Sequence, residues 1–176
     1  MRSSFIACLI LGLAAQAAAP VPRAAGEFTI REATGKTTQL SSQKGKVIVL
    51  QFLDVNCGHC QNTAGWLSKV QAEMGPRGLQ VYGVAFDPSV NTPDASKNAL
   101  ALSTFTSRFA KFPVGRADRN TALQFMGHSV MDRLLVPQIV VIDRRGMIRA
   151  QDKAQPTGEL GEAPLRALVN TLLNQK

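Results

Sequence analysis

Between Lys46 and Leu53 the chain reads Lys-Val-Ile-Val-Leu-Gln-Phe-Leu, apolar at almost every position and therefore on both alternating faces. A short run of this kind predicts a central strand covered on both sides. Beyond Cys57-Gly58-His59-Cys60 the period changes: Ala64, Leu67, Val70 and Met74 recur at helical spacing until Gly75-Pro76 ends the helix. Leu79 to Phe86 predicts a second strand, followed by a polar, proline-containing loop from Asp87 to Lys97. Asn98 to Phe109 and Asn120 to Met126 predict helices on either side of a short strand at Phe112 to Gly115. Val136-Pro137 then introduces a strong strand, Gln138 to Asp143, and a tight turn at Arg144-Arg145-Gly146 leads into another, Met147 to Gln151. Leu165, Leu168, Val169, Leu172 and Leu173 fall at i, i+3, i+4, i+7 and i+8, which is the apolar stripe of an amphipathic helix. Near the start, Phe28 to Arg31 and Thr37 to Leu40 flank Gly35-Lys36 as a small hairpin. Strands alternating with helices, closed by a strand-turn-strand and a last helix, give an α/β fold with a central mixed sheet between helices.

The N-terminus follows a different pattern. Arg2 precedes an apolar run from Phe5 to Ala15, and Ala15-Gln16-Ala17 places small residues where a signal peptidase reads them. The run is about half the roughly 20 residues a membrane-spanning helix needs, so no stable membrane anchor is expected. The organisation read from this is a signal peptide over 1–17, an Ala- and Pro-rich linker over 18–26, and one domain over 27–176, exported to the periplasm or cell envelope. A length of 176 residues with 45% hydrophobic content suits a single core of ordinary size. The formal charge of +8 raises the question of nucleic acid. The basic residues, however, are spread along the chain from Arg2 to Lys176 without a long run, and the chain has one Trp and one Tyr to interleave with them. A solvated basic surface, with no nucleic-acid partner, is the reading that follows.

Three cysteines exclude a disulfide-rich scaffold, and Cys8 leaves with the leader. The remaining pair, Cys57 and Cys60, opens a helix directly after a buried strand. There the unpaired N–H groups and the helix dipole favour an anion, so Cys57 is the expected nucleophile. Cys60, one turn on, is placed to attack a mixed disulfide and release the partner. His59 adds a positive or polarisable group beside the thiolate and makes the disulfide more oxidising. A structural bridge across so short a loop constrains little, and a zinc site wants four ligands where the mature chain has two cysteines and two histidines. The exchange chemistry calls for no cofactor and no metal.

The stretch from Gly45 to Phe52, Cys57-Gly58-His59-Cys60, and Val136-Pro137-Gln138-Ile139-Val140-Val141-Ile142-Asp143 with Gly146 resembles exported thioredoxin-fold proteins of the TlpA/ResA type, within the thioredoxin and AhpC/TSA group. The resemblance covers nearly all of residues 28 to 174. It implies a three-layer α/β/α sandwich with an N-terminal hairpin and an inserted helix-strand segment between about Asp87 and Asp118. It implies further that Pro137 is cis and faces the cysteine pair, with the backbone of Val136 left to bind an extended substrate segment. The implied activity is thiol–disulfide oxidoreduction on cysteine-containing envelope proteins, with a thiol electron donor or acceptor as second partner. The chain departs from the family pattern at several positions. Asn56 stands where a Trp usually precedes the first cysteine, the proline common between the cysteines is absent, and Gly58-His59 matches protein disulfide isomerases. The acidic residue of thioredoxins six positions before the first cysteine is Gln51, and the glutamate that ResA-like proteins carry three positions after the second cysteine is Thr63. Neither can take up the proton of Cys60, which predicts slow resolution. Asp54 reads as a loop carboxylate or helix-entry cap as readily as an acid/base group.

Two alternatives come with the fold group. A thiol peroxidase signature would need proline at Leu50 and threonine at Asp54. A Sco-like copper-handling protein would use the two cysteines with a distant histidine, for which His128 with Met126 and Met131 supplies soft ligands. Export itself has a direct check: the mature protein is expected to begin near Ala18, read by N-terminal sequencing of envelope material, and an intact Met1 or Arg2 would exclude cleavage.

Overall fold

The computed structural model describes residues 19–132, 134–153 and 160–175, so the expected leader lies outside the described residues. Eight strands follow one another as β1 (Arg23–Ala24), β2 (Thr29–Glu32), β3 (Thr37–Gln39), β4 (Val47–Leu53), β5 (Leu79–Ala85), β6 (Val114–Arg116), β7 (Gln138–Ile142) and β8 (Met147–Gln151). The helices are α1 (Gly58–Met74), α2 (Ala95–Phe109), α3 (Arg119–Met126) and α4 (Glu162–Asn174).

All seven residues of β4 are buried, as its apolar run predicts. It pairs in parallel with β5 and antiparallel with β7, in a single mixed sheet of order β1-β8-β7-β4-β5-β6-β2-β3. The two-residue period of the strand divides its side chains between two cores. Val47, Val49 and Leu53 pack with Leu67 and Val70 of α1, Leu102 and Phe105 of α2, and Leu165 and Val169 of α4. Ile48, Leu50 and Phe52 face the opposite side, against Phe28, Ile30 and the α3 residues Leu123 and Met126. Each such fully buried side chain contributes roughly 1.5–3 kcal/mol. Helices on both faces of a mixed sheet are the expected architecture.

The boundaries differ from the sequence reading at several points. Helix α2 begins at Ala95 rather than Asn98, because Asp94 Oδ1 accepts the N–H groups of Ser96 (3.0 Å) and Lys97 (3.2 Å) and caps the helix earlier. Strand β6 starts at Val114, after a proline that has no N–H to give the ladder. Leu168 is only partly buried, at the edge of the α4 stripe. The stretch from 18 to 26, expected as linker, contains β1. Arg23 and Ala24 pair antiparallel with Ile148 and Met147, and the Ala25 N–H donates to the Gly146 carbonyl at 2.9 Å. The Arg23 guanidinium fastens this edge further, donating to Gln151 Oε1 at 2.6 Å and to the carbonyls of Phe125 (3.2 Å) and Ala19 (3.1 Å). Backbone pairing and one arginine leave no hydrophobic period to read.

At the other edge β2 joins β6 through the pairs Arg31 with Arg116 and Glu32 with Gly115. A Cβ on Gly115 would stand 2.6 Å from Ile30 Cγ2 and 2.7 Å from the Arg31 carbonyl oxygen. Main chain cannot step aside as a side-chain tip can. Gly115→Ala is therefore expected to lower stability by about 1–3 kcal/mol, measured as a lower denaturant midpoint; an unchanged midpoint would show that β2 tolerates displacement.

Candidate active site

β4 ends at Leu53, and the chain reverses through Asp54, Val55 and Asn56 into α1. Asp54 shapes this turn twice over: its Oδ1 accepts the Asn56 N–H at 2.7 Å and its carbonyl accepts the Cys57 N–H at 3.1 Å. Two further side chains hold the turn from outside. Gln61 Nε2 donates to the Val55 carbonyl at 3.2 Å, and buried Asp87, at the end of β5, accepts the Val55 N–H through Oδ2 at 3.4 Å. Asp87 Oδ1 also accepts the N–H of Ser89 at 2.9 Å and its hydroxyl. The sequence reading passed over Asp87 as the start of a polar loop. Asp-Pro-Ser directly after a strand is the signal that could have found it, since an aspartate there turns back onto the amides ahead of it.

Cys57 is the N-cap of α1, and its Sγ accepts the N–H of Cys60 at 3.2 Å. The sulfur thus replaces the hydroxyl or carboxylate oxygen that usually caps a helix, at the positive end of the helix dipole. Cys57 is half-buried while Cys60 is fully buried, in the apolar cluster with Ala64, Leu67 and Val70. Both thiols are free. The Cys57 thiol donates to the Val136 carbonyl at 3.8 Å, and the Val136–Pro137 peptide bond is cis. The expected neighbours are therefore together: Cys57, Cys60, Val136 and Pro137 meet at the C-terminal end of β4, with His59 exposed on the first turn of α1.

Beneath the pair lies Gln51, fully buried. Its Nε2 donates to the Cys60 carbonyl at 2.8 Å, and its Oε1 is without a hydrogen-bond partner. Burial pushes the Cys60 thiol well above its ordinary value, and a hydrogen bond to Cys57 adds to the shift. A backbone hydrogen bond from Asp54 acts in the opposite direction, while the charges of Cys57 and Asp54 raise it further. Beside the turn, a cleft of about 280 Å³ opens towards α2, lined by Asn56, Gln61, Arg108 and Phe109 among others.

The copper alternative needs His128, Met126 and Met131 to converge. They do not. Met126 is fully buried in the core under α3, Met131 is 87% exposed, and the enclosed His128 ring holds Nδ1 3.6 Å from Asp132 Oδ2. One sulfur faces the core and the other faces solvent. Burial holds the His128 imidazole below its ordinary range, opposed by Asp132. Among the described residues no three His, Cys, Asp or Glu side chains group as a metal site.

Residues 21–151 match the model of the AhpC/TSA family. The thiol-disulfide oxidoreductase ResA of Bacillus thuringiensis subsp. konkukian is 21% identical over 149 residues, which cover 84% of this chain and 78% of that protein. Two solved structures from Chlorobium tepidum superpose closely. One, assigned as thiol:disulfide interchange protein DsbE, is 25% identical with a TM-score of 0.66, covering 87% of this chain and 97% of that one. The other, a thiol:disulfide interchange protein of the thioredoxin family, is 20% identical with a TM-score of 0.68, covering 89% and 99%. With a family match over most of its length and a capped cysteine pair at the end of the central strand, the chain belongs to the AhpC/TSA family and has the thioredoxin-like fold of its thiol–disulfide oxidoreductases.

Proposed function

We propose that the chain exchanges disulfides with cysteine-containing proteins of the cell envelope, with Cys57 as nucleophile and Cys60 as resolving thiol. One observation carries the assignment of roles: Cys57 Sγ sits half-exposed on the helix N-terminus, while Cys60 lies buried behind it. Only the first sulfur is placed to meet a second protein. Its thiolate attacks one sulfur of a partner disulfide, forming a mixed disulfide and releasing the other partner sulfur as a thiolate. Cys60 then attacks Cys57 Sγ, the second partner thiol departs, and the pair is left oxidised by two electrons. A thiol electron donor resets it; the same steps in reverse oxidise a dithiol partner.

His59, one residue after Gly58 on the exposed first turn, supplies a polar or cationic group beside the thiolate. The Val136 carbonyl lies against the nucleophile, which supports an extended partner segment pairing with this backbone across Pro137. Exposed Val130, Met131 and Leu135 on the approach to Val136 suit a polypeptide partner with apolar side chains. The leader over 1–17 supports action outside the cytoplasm. No helix among the described residues is long and apolar enough to cross a membrane.

Trapping tests the reading. A Cys60→Ser chain expressed in its host is expected to accumulate reductant-sensitive adducts with envelope proteins through Cys57, and the Cys57→Ser/Cys60→Ser chain none. Equal recovery from both would sink the proposal. The roles are tested separately by alkylating the reduced protein at mildly acid pH: Cys57 is expected to be labelled first and Cys60 only slowly, as its burial requires. Labelling of Cys60 first would reverse the assignment.

A further inference from the structure

The two ends of the sheet differ in charge. β4, β5, β6 and β8 run in one direction. Asp54, Asp87, Asp118 and Asp152 follow their last residues, at the end where Cys57 sits, and are interleaved there with Arg116, Arg119 and Lys153. At the far end Lys44 and Lys46 precede β4, Arg77 precedes β5, and Arg144 and Arg145 turn the chain from β7 into β8. Hydrogen bonds join these loops into one surface: the Gly45 N–H donates to the Arg144 carbonyl at 3.1 Å, and Arg144 Nη2 donates to the carbonyls of Arg77 (3.3 Å) and Leu173 (3.2 Å). Lys44, Lys46, Arg77 and Arg145 are exposed, and among the described residues none has a carboxylate within ion-pair distance. The nearby carboxylates are already engaged. Asp143 is buried and bonded to Arg149 and the Arg145 amide, Glu73 pairs with Arg166, and Glu27 accepts the N–H groups of Phe28 and Ser41. Two hollows that share Asp143 and Arg145 open on this surface. One, about 340 Å³, is lined by Arg144, Arg149 and Leu172; the other, about 200 Å³, has Leu40, Ile48 and Ile142 on its walls with Glu27 and Lys44.

We propose that this basic end of the sheet is a docking surface for a membrane leaflet rich in anionic phospholipid. Headgroup phosphates meet Lys44, Lys46, Arg77, Arg144 and Arg145, and the hollow walled by Leu40, Ile48 and Ile142 takes apolar atoms from just beneath the headgroups. Cations bordering an apolar hollow match an amphiphile. A free phosphate has no use for the hollow, and a single-stranded nucleic acid would want aromatic rings to stack on, which none of these residues supplies. Attraction comes from the surface potential of the leaflet and weakens as salt screens it, so the docking is reversible and involves no spanning segment. β4 is seven residues long, which sets the docked surface roughly 20 Å from the cysteine pair. Cys57 then faces away from the lipid, open to partners in the aqueous phase. That orientation serves the exchange reading given above; the docking itself does not depend on it.

The test is co-sedimentation of the protein purified from its host with vesicles of equal parts phosphatidylglycerol and phosphatidylcholine, and with vesicles of phosphatidylcholine alone. Binding is expected to the first only, and to fall as salt is raised. A base at such a surface is worth about fivefold in partitioning. The variant Lys44→Gln/Lys46→Gln/Arg145→Gln alters exposed side chains and leaves Arg144, which ties the loops together, in place; it is expected to bind roughly a hundredfold more weakly. Lys36→Gln/Lys97→Gln/Arg119→Gln removes the same charge from other parts of the surface and is expected to lose no more than about fivefold. Every variant keeps the same N-terminus, so a difference between them reports the basic end. Equal losses from the two variants would overturn the proposal, because net charge alone would then account for binding. Equal binding to both vesicles, binding to neither, displacement by inorganic phosphate at the same phosphate concentration, or tighter binding to duplex DNA would overturn it too. Orientation has its own readout: alkylation of Cys57 is expected to run at the same rate on the anionic vesicles as in solution, and protection of Cys57 would put the cysteine end against the lipid instead. The exchange reading stands or falls separately, on the Cys60→Ser trap.

Discussion

The hydrogen bond from the Cys60 N–H to Cys57 Sγ orders everything around it. It makes a sulfur the first acceptor of α1, and so fixes at once where the helix starts, which thiol faces outward and which is drawn into the core. That geometry exists only because β4 is buried on both faces and delivers the chain to a fixed point. From there three side chains, Asp54, Gln61 and Asp87, leave the intervening turn little freedom. The flanking core is thus more than stability. It is the mount that keeps a sulfur within reach of three separate elements: the helix, the turn and the start of β7.

Much of this was legible in advance, for identifiable reasons. Val47 to Leu53 could hardly be anything but an inner strand, and Leu165, Val169, Leu172 and Leu173 could hardly avoid forming one face of a helix. The cysteine pair announced itself because its context, strand before and helix after, is local. What escaped was decided by distant partners. Arg23 and Ala24 carry no pattern of their own and become a strand only because β8 offers them an edge. Asp87 looked like loop until β5 and β4 lay side by side and brought it to Val55. The ladder order, with the N-terminal hairpin on β6 and β1 on β8, depends on pairings that no window of sequence contains.

Gln51 shows how a single polar atom divides stability from chemistry. Its Oε1 is buried without a partner, a situation that costs about 1–3 kcal/mol. A leucine at the same place would pack with Val49 and Leu53 on that face of β4. The amide is held instead by the Cys60 carbonyl, tying the first turn of α1 to the central strand below it. An uncharged tie here keeps the floor of the site neutral through any change of pH. The site thereby separates a dry structural floor from a wet rim.

Both margins of the sheet are closed by the beginning of the chain: β3 lies outermost on one side and β1 on the other. These edge strands are short, two residues in β1 and three in β3, which limits the free ladder they offer to a second molecule. The arrangement has a temporal side, however. Arg23 finds Gln151 across 128 residues of sequence, and a chain made from its N-terminus must carry β1 unpaired until β8 has been synthesised. Contacts of such long range form late and slow the folding reaction. For the interval before that last strand docks, the open margin of β8 is the part of this protein most exposed to pairing with a neighbour.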